Sequence, residues 1–228
     1  MGHGKHYGIT EFYVGKDALI STTMIHTWGG EDVEVVPRSA ARVEENGTFL
    51  SNYISMKPVK RVQMYPEARL SGENSVARFS SVVLAPEGSE LDLGQRAILE
   101  AKGTSAELLS RVITRGGNVI ARAHIIGGGA EETRGHIECK GLILEDGIIH
   151  AIPEIEGGRL TNTELSHEAA VGKIARDEIE YLMARGGLNE EEATATIIRG
   201  FLDVKIQGLP DSLQRQIDAA IDAAEDGF

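Results

Sequence analysis

A single cysteine, Cys139, occurs among the 228 residues, so no disulfide can close within the chain. No apolar run approaches the ~18 residues that a membrane-spanning helix needs. The opening Met1-Gly2-His3-Gly4-Lys5-His6 lacks the apolar stretch of a secretory leader. One thiol and no leader point to a reducing cytoplasm. Positive charge is scarce: 23 Lys and Arg stand against 35 Asp and Glu, for a net charge of −12. That balance argues against nucleic acid and against anionic membrane surfaces as partners. Familiar catalytic and nucleotide-binding patterns are missing too. There is no phosphate-binding GxxxxGK[ST] loop, no GxGxxG after a strand and no GxSxG. His167-Glu168 begins an HExxH pattern, but Val171 stands where the second histidine belongs. Gly127-Gly128-Gly129 is followed by Glu131-Glu132, which repel anions, so it reads as a turn. No nucleotide is expected to bind this chain.

What is present is a 41% hydrophobic fraction and 27 glycines, enough for one sizeable domain with an appendage. Up to about residue 160, short β-branched runs alternate with small-residue corners, over 48–56, 75–85, 107–114, 118–126, 136–144 and 148–152. Within 118–126, Val119, Ala121, Ala123 and Ile125 share one face of a strand. Turn signals fall between the runs, at Gly72-Glu73-Asn74, Arg115-Gly116-Gly117-Asn118 and Asp146-Gly147. Hairpins and a stacked β-solenoid both fit this spacing, although the sequence repeat is weak.

After Leu165 the period becomes helical. Val171, Ile174, Ala175, Ile179, Leu182 and Met183 form a stripe over 166–185, with Ser166 as N-cap and Gly186-Gly187 as stop. Asn189-Glu190-Glu191-Glu192 is a capping box opening a second helix that carries Ala193, Thr196, Ile197 and Phe201. Leu209-Pro210-Asp211 opens a third, with Leu213, Ile217, Ala220, Ile221 and Ala224 on one face. The expected division is a β domain over 1–160 and a helical domain over 161–228.

Three side chains could carry chemistry: Cys139, His167 and Glu168. Alternation puts Cys139 on the face of Ile137 and Ile143, the pattern of a small core residue. His136, Glu138 and Lys140 point the other way, and Gly141 could rotate the register. His167 and Glu168 fall in the first turn of the expected helix, where an acid is stabilising without any catalytic role. His26, His124 and His136 read as ordinary surface or edge residues.

The stretch Ser166-His-Glu-Ala-Ala-Val-Gly-Lys-Ile-Ala-Arg-Asp-Glu-Ile-Glu-Tyr-Leu-Met-Ala-Arg-Gly186 and the segment Ile198-Arg-Gly-Phe-Leu202 resemble the SufB/SufD family of iron–sulfur cluster assembly proteins. His136-Ile-Glu-Cys139 and Ile149-His-Ala-Ile-Pro-Glu-Ile155 are similar to the family's upstream segment, and Thr27-Trp28 is another shared spot. The likeness is specific over 115–205 and looser over 10–115. It implies a mainly β protein, a right-handed parallel β-helix with a small C-terminal helical domain, of the compact, archaeal SufB-like kind or a shortened chain. It implies a non-enzymatic scaffold on which a transient iron–sulfur cluster is built in complex with a SufC-type ATPase. Cys139 matches the family's core cysteine, Glu168 the glutamate of SufB, and Ser166-His167 the Ser-His of SufD. That mixture suggests one protein serving both roles as a homodimer through the β-helix core. Cys139, His167 and Glu168 would then be cluster ligands, or Cys139 a persulfide carrier. Ile174, Ile179, Tyr181, Leu182, Ile198 and Phe201 would dock the ATPase. A β-helix carbohydrate-active enzyme and a regulatory partner of the ATPase that binds no cluster are the alternatives.

Overall fold

The computed structural model describes residues 4–26, 32–56, 59–144, 146–157, 162–202 and 215. The expected third helix from Leu209 and the Thr27-Trp28 spot lie outside these residues. Two sheets are built turn by turn. One holds β1 (Gly4–Val14), β3 (Val33–Val43), β5 (Arg61–Met64) with β6 (Glu67–Leu70), β8 (Glu90–Leu99), β10 (Asn118–Gly127) and β12 (Ile148–Glu156). The other holds β2 (Leu19–His26), β4 (Thr48–Ser55), β7 (Val76–Pro86), β9 (Ser105–Arg115), β11 (Thr133–Ile143) and β13 (Thr163–Lys173). Each strand ladder is parallel, with each strand paired to the strand one coil away rather than to its sequence neighbour. Among the described residues the result is a parallel β-solenoid of about 5 turns, 64% strand, followed by two helices.

Side-chain contacts between successive coils recur 28 to 30 residues apart. One corner of each coil shows why so weak a repeat in letters is a firm repeat in backbone. Asp17, Asn46, Asn74 and Glu132 all have φ between +54° and +59°. Asn46 donates to Asp17 Oδ1 at 2.8 Å, and Asn74 to Asn46 Oδ1 at 3.5 Å. Asn and Asp tolerate the left-handed region because their short side chains bond locally. The fourth position in this stack is Gly103 (φ +70°), where a Cβ would lie 2.3 Å from Asn74 Oδ1. The repeated quantity is a dihedral angle, filled by whichever residue can reach it.

Alternation along the strands sends one face inward. Two apolar clusters fill the interior, one around Phe49, Phe79, Leu108, Ile125 and Ile137, the other around Val62, Val83, Leu91 and Val119. The Phe12 and Phe49 rings meet tilted across one coil step, with centroids 5.1 Å apart, and Phe49 and Phe79 meet edge-on across the next, at 5.9 Å. As expected, Val119, Ala121, Ala123 and Ile125 face this core.

The helical region differs from the sequence expectation. Residues 166–173 are strand, not helix: β13 pairs with β11 from Thr133↔Thr163 to Ile143↔Lys173. An open solenoid edge offers this segment eleven residues of ladder, and tertiary pairing of that extent overrides a modest helical preference interrupted by Gly172. Ser166 is therefore no N-cap. Helix α1 runs Arg176–Gly186, with Ala175 at its start and no side-chain cap, and ends at Gly187 (φ +66°), the expected stop. Helix α2 (Glu190–Leu202) opens with the expected reciprocal capping box: Glu192 N–H donates to Asn189 Oδ1 at 2.9 Å, and Asn189 N–H to Glu192 Oε2 at 2.8 Å. Its buried face is Ala193, Ile198 and Leu202, with Thr196 left exposed. That face packs on the outer surface of the second sheet, against Ile54, Val82, Ile113 and Leu142.

Candidate functional site

Cys139 lies on the inward face of β11 and is 2% exposed, in the same apolar cluster as Ile137 and Leu108. The solenoid register stacks it over Ser110 of β9 and under Ala169 of β13. Ser110 in turn stacks on Ser81, and Ser81 on Tyr53, so an inward column of hydroxyls leads to the sulfur. Ser110 Oγ donates to Cys139 Sγ at 3.4 Å, and Gln95 Nε2 to Ser81 Oγ at 3.1 Å. Small cavities of about 10 and 40 Å³ border this column, lined by Ser81, Gln95 and Ser110 and by Tyr53, Ser51 and Gln95. Burial pushes the Cys139 thiol up, against a smaller opposing pull from the Ser110 hydroxyl.

β13 is the end strand of its sheet and is exposed along most of its length. His167 stands opposite Ile137 and Glu168 opposite Glu138. His167 therefore shares the inward parity of Cys139, with Cα atoms roughly 8 Å apart from the strand spacing and rise. Ala169 is the β13 residue directly over Cys139, and it is exposed. Glu168 faces outward. Its Oε1 lies 3.3 Å from Lys140 Nζ, which also reaches Glu138 Oε2 at 2.6 Å. Glu138 pairs in addition with Arg111 of β9, both side chains 15% exposed. Burial works to raise the Glu138 carboxyl, but the Lys140 and Arg111 hydrogen bonds prevail and hold it below the usual range.

Within one chain, then, Cys139 and His167 share a face and Glu168 stands on the other. Among the described residues no group of three or more His, Cys, Asp or Glu is placed to hold a metal ion. The histidines read as surface residues divide. His136 Nδ1 meets Ser166 Oγ at 2.9 Å on the exposed side. His26 is half-buried, edge-on to the Tyr53 ring, with Nδ1 3.1 Å from its hydroxyl, and burial pushes it down to about 4.

The residues expected to dock a partner divide as well. Ile198 is 1% exposed in the α2–sheet contact, so it is not at a surface. Phe201 and Ile174 are half-buried in the same contact, with the Arg111 guanidinium 6.0 Å above the Phe201 ring. Ile179 and Leu182 are half-buried, and Tyr181 is 61% exposed. Between the two helices and the strand ends lies an open cleft of about 580 Å³, bordered by Ile143, Ile174, Ile179, Lys173 and Glu190. Sequence reasoning missed Ser110, Arg111 and the role of Lys140. Ser110 and Arg111 meet their partners a coil away, Ser110 at an offset of 29 residues, whereas Lys140 reaches Glu138 on its own strand and Glu168 on the next coil.

The family description matching residues 2–201 is "SUF system FeS cluster assembly, SufBD core domain". An iron–sulfur cluster assembly SufBD family protein of Archaeoglobus fulgidus is 53% identical over 97% of this chain and 59% of its own length. One from Methanothermobacter thermautotrophicus is 45% identical over 98% of this chain and 54% of its own. One from Pyrococcus horikoshii is 32% identical over 99% and 50%. The chain thus spans between half and three fifths of these relatives.

Proposed function

The chain belongs to the SufBD family of iron–sulfur cluster assembly proteins, and from that premise we propose that it is a non-enzymatic scaffold whose cargo is a transient cluster held by Cys139 at the open end of the solenoid. The observation that carries this reading is the position of the sulfur. It faces inward, one strand from the edge, with only the methyl group of Ala169 above it in the register. His167 stands on the same face at the exposed strand.

A cluster is usually held by four ligands, and one chain offers one thiolate. Two copies meeting at the β12 and β13 ends would contribute two, with His167 and Glu168 from either copy completing the set. An unpaired strand edge invites such pairing, and Val171 and Ile148 at this end are 40% and 61% exposed. Imidazole and carboxylate hold iron less firmly than thiolate does, which suits a cargo that must leave. For Glu168 to take part, it must exchange Lys140 for iron.

Work by ATP enters through another protein, a SufC-type ATPase. Its docking surface is the outward side of α1 around Tyr181, with Leu182 and Ile179 beneath. Ile198 and Phe201 support that surface from below by fixing α2 to the sheet. The protein acts in the cytoplasm; no described helix is long and apolar enough to cross a membrane.

Anaerobic reconstitution with iron and sulfide tests the cluster reading. The expected outcome is a visible chromophore in the native chain that is lost in Cys139→Ser. An equal chromophore in that variant would remove Cys139 from the ligand set.

A further inference from the structure

The first coil carries two histidines, His6 and His26, that the cluster reading does not use. Among the described residues β1 and β2 are the end strands of their sheets, at the far end of the solenoid from β13. Their inward positions oppose each other in a regular series. Phe12 and Ile20 pack in one apolar cluster, and Thr10 and Thr22 border one cavity. Inward side chains recur at every second residue, so the next steps oppose Gly8 to Met24, and then His6 to His26. Sheets packed face to face stand about 10 Å apart, a gap that two opposed imidazoles bridge. Local contacts agree with this placement. His6 Nε2 lies 3.2 Å from where a Cβ on Gly8 would stand, so the ring turns over the bare glycine. His26 is close enough to His6 for the charge of one to oppose that of the other. Tyr53, 6% exposed, sets its hydroxyl 3.1 Å from His26 Nδ1. Ser55 stacks on His26 in the register and is 1% exposed, yet its Oγ has no hydrogen-bond partner among the described residues.

We infer that His6 and His26 form a binding site for a divalent cation of the ferrous-iron or zinc kind at the solenoid end remote from Cys139, with Tyr53 as its positioning residue. Imidazole nitrogen suits such ions. A histidine that binds metal through one ring nitrogen usually donates its other N–H to a fixed acceptor, which sets the tautomer and the ring angle. Tyr53 provides that acceptor: Nδ1–H of His26 donates to the phenol oxygen, which leaves the Nε2 lone pair for the ion. The phenol O–H is then released toward Ser55 Oγ, the buried oxygen that otherwise lacks a partner. Two protein nitrogens leave the remaining coordination positions to water, so the ion exchanges. Nothing in this site draws on Cys139.

Cobalt(II) tests the site through its visible d–d bands, in the full chain carrying Cys139→Ser so that no thiolate contributes. The expected result is one cobalt per chain, displaced by zinc and by excess ferrous iron under anaerobic conditions. His6→Gln, at an exposed position of an end strand, and His26→Gln should each weaken cobalt binding by at least about ten-fold. Tyr53→Phe keeps the ring and removes the acceptor, so it should shift the bands and weaken binding by about ten-fold. His150→Gln, at an exposed histidine of β12, should leave the titration unchanged. Cobalt bound equally well by His6→Gln and its parent would overturn the inference, and so would equal weakening by His150→Gln. A Tyr53→Phe titration superimposed on the parent would remove Tyr53 from its positioning role. The cluster reading is tested on Cys139 alone, so either result can fail without the other.

Discussion

Glu138, Cys139 and Lys140 are consecutive, and the strand sends the middle one inward and the outer two outward. The sequence pattern already showed this alternation. It could not show that Glu138 would be gripped from two sides, by Lys140 on its own strand and by Arg111 one coil below. Removing the charge by Glu138→Gln should cost about 1–2 kcal/mol at neutral pH, the scale of a partly buried charged hydrogen-bond network that loses one member. The pH dependence has a fixed sign. The folded-state carboxyl titrates below its ordinary value of 4.5, so its contribution is complete above that value and is lost as pH falls through the lower, folded one. Urea midpoints of the native chain and Glu138→Gln should differ fully at pH 7 and converge on acidification below about 4.5. A gap that widens on acidification would show that the carboxyl is not held low.

Among the elements, α2 was legible and β13 was not, for opposite physical reasons. The start of α2 is local: Asn189 and Glu192 satisfy each other's backbone within one turn, so four letters carry the signal. β13 exists because β11 is there to pair with, and that partner lies 30 residues upstream. Ser166 to Ala170 suit a helix by composition, and only the open edge makes them strand. This moves His167 and Glu168 from one helical turn onto opposite faces of a sheet. Pattern alone also merged two surfaces in the helices. Ile198 is spent on the sheet, whereas Tyr181 is 61% exposed, with the Arg185 guanidinium 5.8 Å from its ring. Ile198→Ala should therefore lower stability by about 2–4 kcal/mol through a cavity. Tyr181→Glu should change stability by no more than about 0.5 kcal/mol and abolish co-purification of the ATPase. Retained co-purification with Tyr181→Glu would move the docking surface elsewhere.

For the molecule as a whole, the solenoid makes sense of what its letters obscure. Short strands, small corners and scattered glycines were visible, but whether they closed as hairpins or stacked as coils was open. Backbone register decides it: each strand pairs with the one a full coil away, in parallel. Stacking also leaves two ends, and the site candidates gather at the open end formed by β12 and β13. A long column of inward side chains, from Tyr53 through Ser81 and Ser110, arrives there at Cys139. If that end is where two copies share a cluster, the assembled species has a defined mass. Native mass spectrometry after anaerobic reconstitution should find two chains with one cluster between them in the native protein, and no cluster-bearing dimer in Cys139→Ser. A cluster carried by single chains, or carried equally by the serine variant, would contradict the proposal.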